Sequence, residues 1–214
     1  MKRLKDGFTL IELLVVISII LIVSSMIFIG GNSGAGASLS SSLRIVSGVA
    51  QGARGQAILK NAETRLIIYS DTSASRDIEK YRRFFGIVYG DPETLGADGK
   101  PTQWIAATQG TYLPEGIYFD PTIASNTSTA TINLEYPRVK AVSETGDSYI
   151  YYAFNSNGTS ANANDWLPIR AGNLDANGDL VPYDSAGENG FLKAALIFRK
   201  AGTTTKVTDP DAVN

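Results

Sequence analysis

A single apolar segment near the amino terminus limits what this chain can fold into more than any other feature. Residues 8–30 contain one ionisable side chain, Glu12, and are otherwise almost wholly apolar. At about 1.5 Å per residue, a helix of this length spans a hydrocarbon layer about 30 Å thick. The apolar core of a secretory signal is shorter, about 7–15 residues. A membrane helix is therefore expected here, although residues 35–37, Ala-Gly-Ala, could imitate a signal peptidase site.

The charges around this segment predict its orientation. Lys2, Arg3 and Lys5 precede it, and no Lys or Arg follows until Arg44. Because cytoplasmic flanks are enriched in basic residues, the amino terminus is expected in the cytoplasm. A carboxylate at membrane depth costs about 2.5–3.5 kcal/mol or more, and such residues usually have a function. Glu12 is thus a candidate functional residue, unless it lies near the interface or is protonated.

Residues 7–12, Gly-Phe-Thr-Leu-Ile-Glu, resemble the class III signal of type IV prepilins and type II secretion pseudopilins. The resemblance implies that a prepilin peptidase cuts between Gly7 and Phe8 and methylates the new amino terminus at Phe8. Glu12 becomes the fifth residue of the mature chain, where we expect it to pair with the Phe8 nitrogen of an adjacent subunit during assembly.

The same resemblance implies a function and a location. The chain is expected to be a structural subunit, and a minor one, of a type IV pilus or a type II secretion pseudopilus. Its implied partners are the prepilin peptidase, sibling subunits and an inner-membrane assembly platform. It would cross the bacterial inner membrane once, with the carboxyl-terminal domain in the periplasm, before it enters a filament. The alternative is a binding module or enzyme displayed on an uncleaved anchor, which needs neither Gly7 nor Glu12.

Composition excludes many catalytic sites. The chain has no Cys and no His, which rules out disulfides, thiolate metal sites, a Cys nucleophile, a His-dependent triad and His-liganded zinc or haem. Neither a P-loop nor a Gly-x-Ser-x-Gly elbow is present. No enzymatic activity is therefore predicted. Nucleic-acid binding is not expected either, because the net charge is −2 and the carboxyl-terminal Arg199, Lys200 and Lys206 stand beside Asp209 and Asp211.

The remainder of the chain predicts an α+β fold, and the resemblance implies that it is of the pilin-like kind. In that family a long helix, with a membrane half and a soluble half, packs on an antiparallel β-sheet domain. Apolar side chains recur at steps of three and four residues and predict the soluble half: Leu39, Leu43, Val46, Ala50, Ala53 and Ala57. Six apolar runs between turn signals predict strands: Thr64–Tyr69, Phe84–Tyr89, Trp104–Thr108, Thr131–Tyr136, Ser148–Phe154 and Phe191–Arg199.

These signals divide the chain into five segments. Four glycines between residues 30 and 37 predict a break where the chain leaves the membrane. The predicted segments are a cleaved leader (1–7), a transmembrane and assembly helix (8–30), a Gly-rich neck (31–38), the soluble half of the helix (39–62) and a β-rich periplasmic or extracellular domain (63–214).

Short segments of the domain suggest a subtype. Residues 53–58 followed by 64–69, together with residues 113–117 and 154–159, resemble the H-type minor pseudopilins. The Gly-rich neck and the long stretches around residues 71–83 and 160–190 depart from that pattern.

Residues 173–184 resemble a calcium loop of the EF-hand or dockerin kind. The oxygen ligands would come from Asn173, Asp175, Asn177, Asp179 and Asp184, with Gly178 at the sharp turn. Asn at the first position and Asp at the twelfth depart from the motif. A solvated Asn-Gly turn is the favoured interpretation of the same residues, so no cofactor is expected and calcium is the less favoured alternative.

Overall fold

The computed structural model describes residues 10–29, 34–74, 76–124, 126–138, 140–142, 146–175, 177–183, 192–208 and 212. The chain divides into two compact units, Met1–Ala35 and Gly36–Asn214. Each unit is considered by itself.

The first unit contains helix α1, Leu10–Ile29. Its sequence holds neither Pro nor Gly, and apolar residues dominate it. The hydroxyl of Ser18 donates to the carbonyl of Leu14 at 2.8 Å, so this polar group is satisfied within the helix. Side chains of α1 are described for residues 10–20. Over the described residues, no helix is both long enough and apolar enough to cross a membrane.

Helix α2, Ala35–Lys60, opens the second unit. It begins four residues before the predicted start at Leu39, so residues 35–38 of the predicted neck are helical. Alanine is the best helix former and offsets the penalty of about 1 kcal/mol for Gly36, and Leu39 at the first turns is buried. The helix buries the predicted apolar stripe together with Ser42.

The helix ends at Lys60, two residues before the predicted boundary at residue 62. Asn61 has a left-handed φ of 47°. Its amide donates to the carbonyl of Ile58, and the amide of Ala62 donates to the carbonyl of Ala57. This bonding pattern is the Schellman motif, in which Asn can replace the usual Gly.

Twelve strands follow among the described residues, and all of their pairings are antiparallel. They are β1 (Thr64–Tyr69), β2 (Phe84–Gly90), β3 (Gln103–Ala106), β4 (Thr111–Tyr112), β5 (Ile117–Phe119), β6 (Thr131–Leu134), β7 (Lys140–Val142), β8 (Asp147–Phe154), β9 (Trp166–Leu174), β10 (Leu180–Pro182), β11 (Lys193–Phe198) and β12 (Thr204–Val207). Together with the preceding helices they confirm the predicted α+β class.

The strands form two sheets. A seven-stranded sheet has the order β6-β8-β1-β2-β3-β7, with β4 also paired to β2. A five-stranded sheet has the order β10-β9-β11-β12, with β5 also paired to β9. Strand β1 is central in the first sheet and is almost fully buried, because both faces of that sheet are covered.

The two faces of the first sheet bury different sets of side chains. One face carries a cluster rich in aromatic residues: Ile67, Tyr69, Tyr81, Phe84, Val88, Trp104, Ile132, Leu134, Tyr136 and Tyr149. The alternate side chains meet the second sheet, where Phe85 contacts Phe119 and Tyr152 stacks on Phe198 with ring centroids 4.5 Å apart. Helix α2 reaches β12 through a Ser47–Thr204 hydroxyl contact of 3.3 Å. The core therefore has two parts: the aromatic cluster on one face of the first sheet, and the layer between the other face, the second sheet and α2.

All six predicted strands appear with shifts of a few residues at their ends, and β1 has the predicted bounds. Residue 191 of the sixth lies outside the described residues. The longest strand, β9, was not predicted and lies in the stretch treated as an insertion. Pro168 and Gly172 interrupt its alternation, and both residues usually weaken a strand. The register places Pro168 opposite Ala195 and Gly172 opposite Pro182.

Candidate functional site

Glu12 lies in the first turn of α1 and is exposed. The partial positive charge at a helix amino terminus favours a carboxylate in this turn by about 0.3–1 kcal/mol. Gly7 and Phe8 lie outside the described residues, so the cleavage and methylation site stays a prediction.

The described part of α1 presents apolar side chains on every side. Those between 49% and 82% exposed are Leu10, Ile11, Leu13, Leu14, Val15, Val16, Ile17, Ile19 and Ile20. A helix that is hydrophobic all round is stable only when it is buried. The described part of α1 is therefore an apolar surface of the kind that is normally buried.

Three residues of the candidate calcium loop, Asp175, Asn177 and Asp179, lie in the hairpin that joins β9 to β10, and Asn173 lies in β9. One oxygen of Asp175, Oδ1, accepts the amides of Asn177 at 2.9 Å and Asp179 at 2.8 Å. The amide oxygen of Asn173 accepts the Tyr183 hydroxyl at 2.7 Å. These contacts are those of a hydrogen-bonded turn.

The hairpin between β9 and β10 also contacts the guanidinium group of Arg76. Nη2 of Arg76 donates to the carbonyl of Asn177. Asp184 lies outside the described residues. Across the part of the chain that the structure describes, no three His, Cys, Asp or Glu side chains are grouped to hold a metal ion. The solvated turn stays the favoured interpretation, and calcium binding stays the less favoured, untested alternative.

A cavity between the two sheets is the feature that sequence reasoning missed. It has a volume of about 160 Å³, and its lining includes Ile68 and Tyr152 from the first sheet and Phe119 and Leu167 from the second. Burial raises the pKa of Tyr152, whose hydroxyl donates to the carbonyl of Trp166 at 2.6 Å. Its lining residues are far apart in sequence, so no local pattern signals the cavity.

A charged cluster stands beside this cavity. The carboxylate of Asp120 is buried, with a side chain only 4% exposed. Its Oδ1 accepts the amide and the hydroxyl of Thr122 at 3.1 and 2.6 Å. Arg82 lies 3.9 Å from Oδ1, and Arg170 lies 3.7 Å from Oδ2. Two guanidinium groups therefore share one carboxylate, and Arg82 also lines the cavity.

Comparison with known proteins identifies the amino-terminal segment. Residues 2–28 match the family model described as the prokaryotic N-terminal methylation motif. This match confirms the resemblance drawn from residues 7–12 and supports a pilin-like or pseudopilin subunit. No curated protein sequence matches the chain.

Among solved structures, the chain is similar to the minor pseudopilin EpsH from the Type 2 Secretion System of Vibrio cholerae. The identity is 15%, the match covers 80% of this chain and 94% of the EpsH chain, and the TM-score is 0.36. Likeness at this level carries no inference about function.

Proposed function

We propose that this chain is a structural subunit, and a minor one, of a type IV pilus or a type II secretion pseudopilus. The methylation motif at residues 2–28 is the observation that carries the proposal. In this role a prepilin peptidase removes residues 1–7 and methylates the nitrogen of Phe8. The subunit works by packing against other subunits, not by catalysis.

Cleavage changes the charge of the helix end. It removes three basic residues and one acidic residue, so the formal net charge falls from −2 to −4. The methylated ammonium of Phe8 is then the only positive charge left before Arg44. Glu12, four residues away, is the only carboxylate in the apolar segment.

These two charges provide a mechanism for assembly. Either charge is costly in lipid without a counter-ion. The Phe8 ammonium of one helix and the Glu12 carboxylate of its neighbour would neutralise each other. Glu12 lies in the first turn of α1, and the apolar side chains around it are exposed for packing. A neighbouring subunit would therefore bring its Phe8 ammonium to the Glu12 carboxylate while its helix buries the apolar surface.

The location follows from the same segment. The chain is anchored in the bacterial inner membrane before it joins the filament. The basic leader favours a cytoplasmic amino terminus and a periplasmic β domain. The prepilin peptidase, sibling subunits and an inner-membrane platform are the partners that this route requires. Nothing in the net charge of the chain favours nucleic acid as a partner.

Substitution of Glu12 tests this mechanism. Glu12→Ala is expected to reach the membrane and be processed, yet to be largely lost from sheared filaments or from crosslinks to sibling subunits. Glu79→Ala is the matched control, because Glu79 is also exposed but lies in the second unit. Assembly of Glu12→Ala at the wild-type level would show that the carboxylate has no such role.

A further inference from the structure

The cavity between the two sheets has the properties of a binding site for a small apolar group. Ile68, Phe119 and Leu167 line the cavity and are at most 3% exposed, so this part of the wall belongs to the packed core. Packed protein interiors leave few voids larger than a water molecule. Apolar cavities of about 150 Å³ stay dry and admit a molecule such as benzene. The cavity volume of about 160 Å³ therefore suits one aromatic ring or a branched aliphatic group.

Arg82 is the one charged side chain among the described residues that line this cavity. Its 3.9 Å contact with Asp120 is an ion pair but is too long for a hydrogen bond. The oxygen that it approaches already accepts two hydrogen bonds from Thr122. A guanidinium has five N–H donors in a planar fork that suits a carboxylate. Arg82 thus retains donors for an anionic group at the cavity.

The backbone holds Arg82 in this place independently of its side chain. Its amide donates to the carbonyl of Tyr69 at 3.1 Å, and its carbonyl accepts the amide of Phe119 at 2.8 Å. These bonds join the two walls of the cavity. The φ of Arg82 is 55°, a left-handed conformation that is costly for a residue other than Gly. Such strain is concentrated at functional sites.

We propose that this cavity binds a small amphipathic carboxylic acid. Its ring-sized aromatic or branched aliphatic group fills the space between the sheets, and its carboxylate accepts hydrogen bonds from Arg82. Binding is reversible and involves no covalent step.

Phenylacetate is the probe ligand, and 2-phenylacetamide is the uncharged control ligand of similar size. Each is titrated into the full chain in lipid nanodiscs, with the methyl groups of Ile68, Ile150 and Leu167 followed by NMR. Phenylacetate is expected to shift these methyl signals saturably, with a dissociation constant of about 1 mM or below. The amide is expected to bind about tenfold more weakly, because it loses the charge-assisted hydrogen bonds.

Variants separate the two halves of the site. Arg82→Gln is expected to weaken phenylacetate about tenfold and to leave the amide unchanged. Ile150→Trp fills the cavity and should abolish binding of both probes. The matched control is Ile58→Trp, since Ile58 is 53% exposed on α2 and does not line the cavity.

Three results would overturn the proposal. The first is the absence of saturable shifts at the three methyl groups. The second is equal affinity for acid and amide that Arg82→Gln does not change. The third is undiminished binding to folded Ile150→Trp. Should Ile150→Trp fail to fold, the comparison of acid with amide in wild type and Arg82→Gln decides alone.

Discussion

Two tyrosines in the aromatic cluster of the first sheet should respond in opposite ways to loss of the hydroxyl. Tyr136 donates to the carbonyl of Thr108 at 2.8 Å and lies 3.0 Å from the Thr108 hydroxyl. Tyr149 is fully buried, yet its hydroxyl has no hydrogen-bond partner within the described part of the chain. Their rings are 6.1 Å apart, so the surroundings are shared.

The magnitudes follow from these contacts. Each net hydrogen bond contributes about 0.5–1.5 kcal/mol, so Tyr136→Phe should lower the free energy of unfolding by about 1–3 kcal/mol. A buried hydroxyl without a partner costs about 1–3 kcal/mol. Tyr149→Phe should therefore leave stability unchanged or raise it by up to about 2 kcal/mol. The substitution keeps the aromatic ring and its contacts with Tyr69 and Tyr136, so packing contributes little to the difference.

Urea unfolding of the full chain in nanodiscs, followed by tryptophan fluorescence, measures both variants against wild type. An unchanged slope with a shifted midpoint would indicate a change in stability alone. The reasoning would be refuted if Tyr149→Phe lost more than about 1 kcal/mol, or if Tyr136→Phe lost nothing.

Two further predictions concern glycine positions and acid stability. A Cβ at Gly55 on α2 would meet no other atom, whereas a Cβ at Gly202, whose φ is 76°, would lie 1.9 Å from the carbonyl oxygen of Gly158. Gly55→Ala should therefore raise stability by about 0.5–1 kcal/mol and Gly202→Ala should lower it by at least about 1 kcal/mol, and a urea midpoint for Gly202→Ala at or above that of Gly55→Ala would contradict this. The amide of Glu93, and to a smaller extent Lys140 at 3.2 Å, lower the pKa of Asp91 below its ordinary 3.8. Because the folded pKa is below the unfolded one, Asp91 stabilises the fold above that ordinary value and loses this effect as pH falls through the folded pKa. The stability difference between wild type and Asp91→Asn should thus shrink in acid, and a difference that is constant from pH 7 to pH 3 would contradict the argument.

Local patterns were sufficient for the parts of the fold that rest on local physics. The stripe from Leu39 to Ala57 predicted the buried face of α2. Strand β1 was predicted to the residue, since its apolar run is bounded by polar segments. The amino-terminal motif could likewise be recognised from the sequence, because its residues are contiguous.

Features that depend on residues far apart in the sequence could not be predicted from it. Strand β9 is stabilised by pairing with β5, β10 and β11, and this pairing overrides the weak strand propensity of Pro168. The cavity is lined by Ile68 and Leu167. These two residues are so far apart in the sequence that no local pattern predicts their proximity. The residues of the calcium motif also fit a hairpin turn, because Asp175 can accept backbone amides as readily as it can bind a metal.

The central claim is that the amino terminus is processed as a prepilin. Intact-mass analysis of the protein from membranes of its own host tests it most directly. The measured mass is expected to be that of a chain that starts at Phe8 and carries one methyl group. The mass of a chain that starts at Met1 would indicate a simple anchor, and that of a chain that starts near Ser38 would indicate a secreted domain. Either result would contradict the proposed role as a filament subunit.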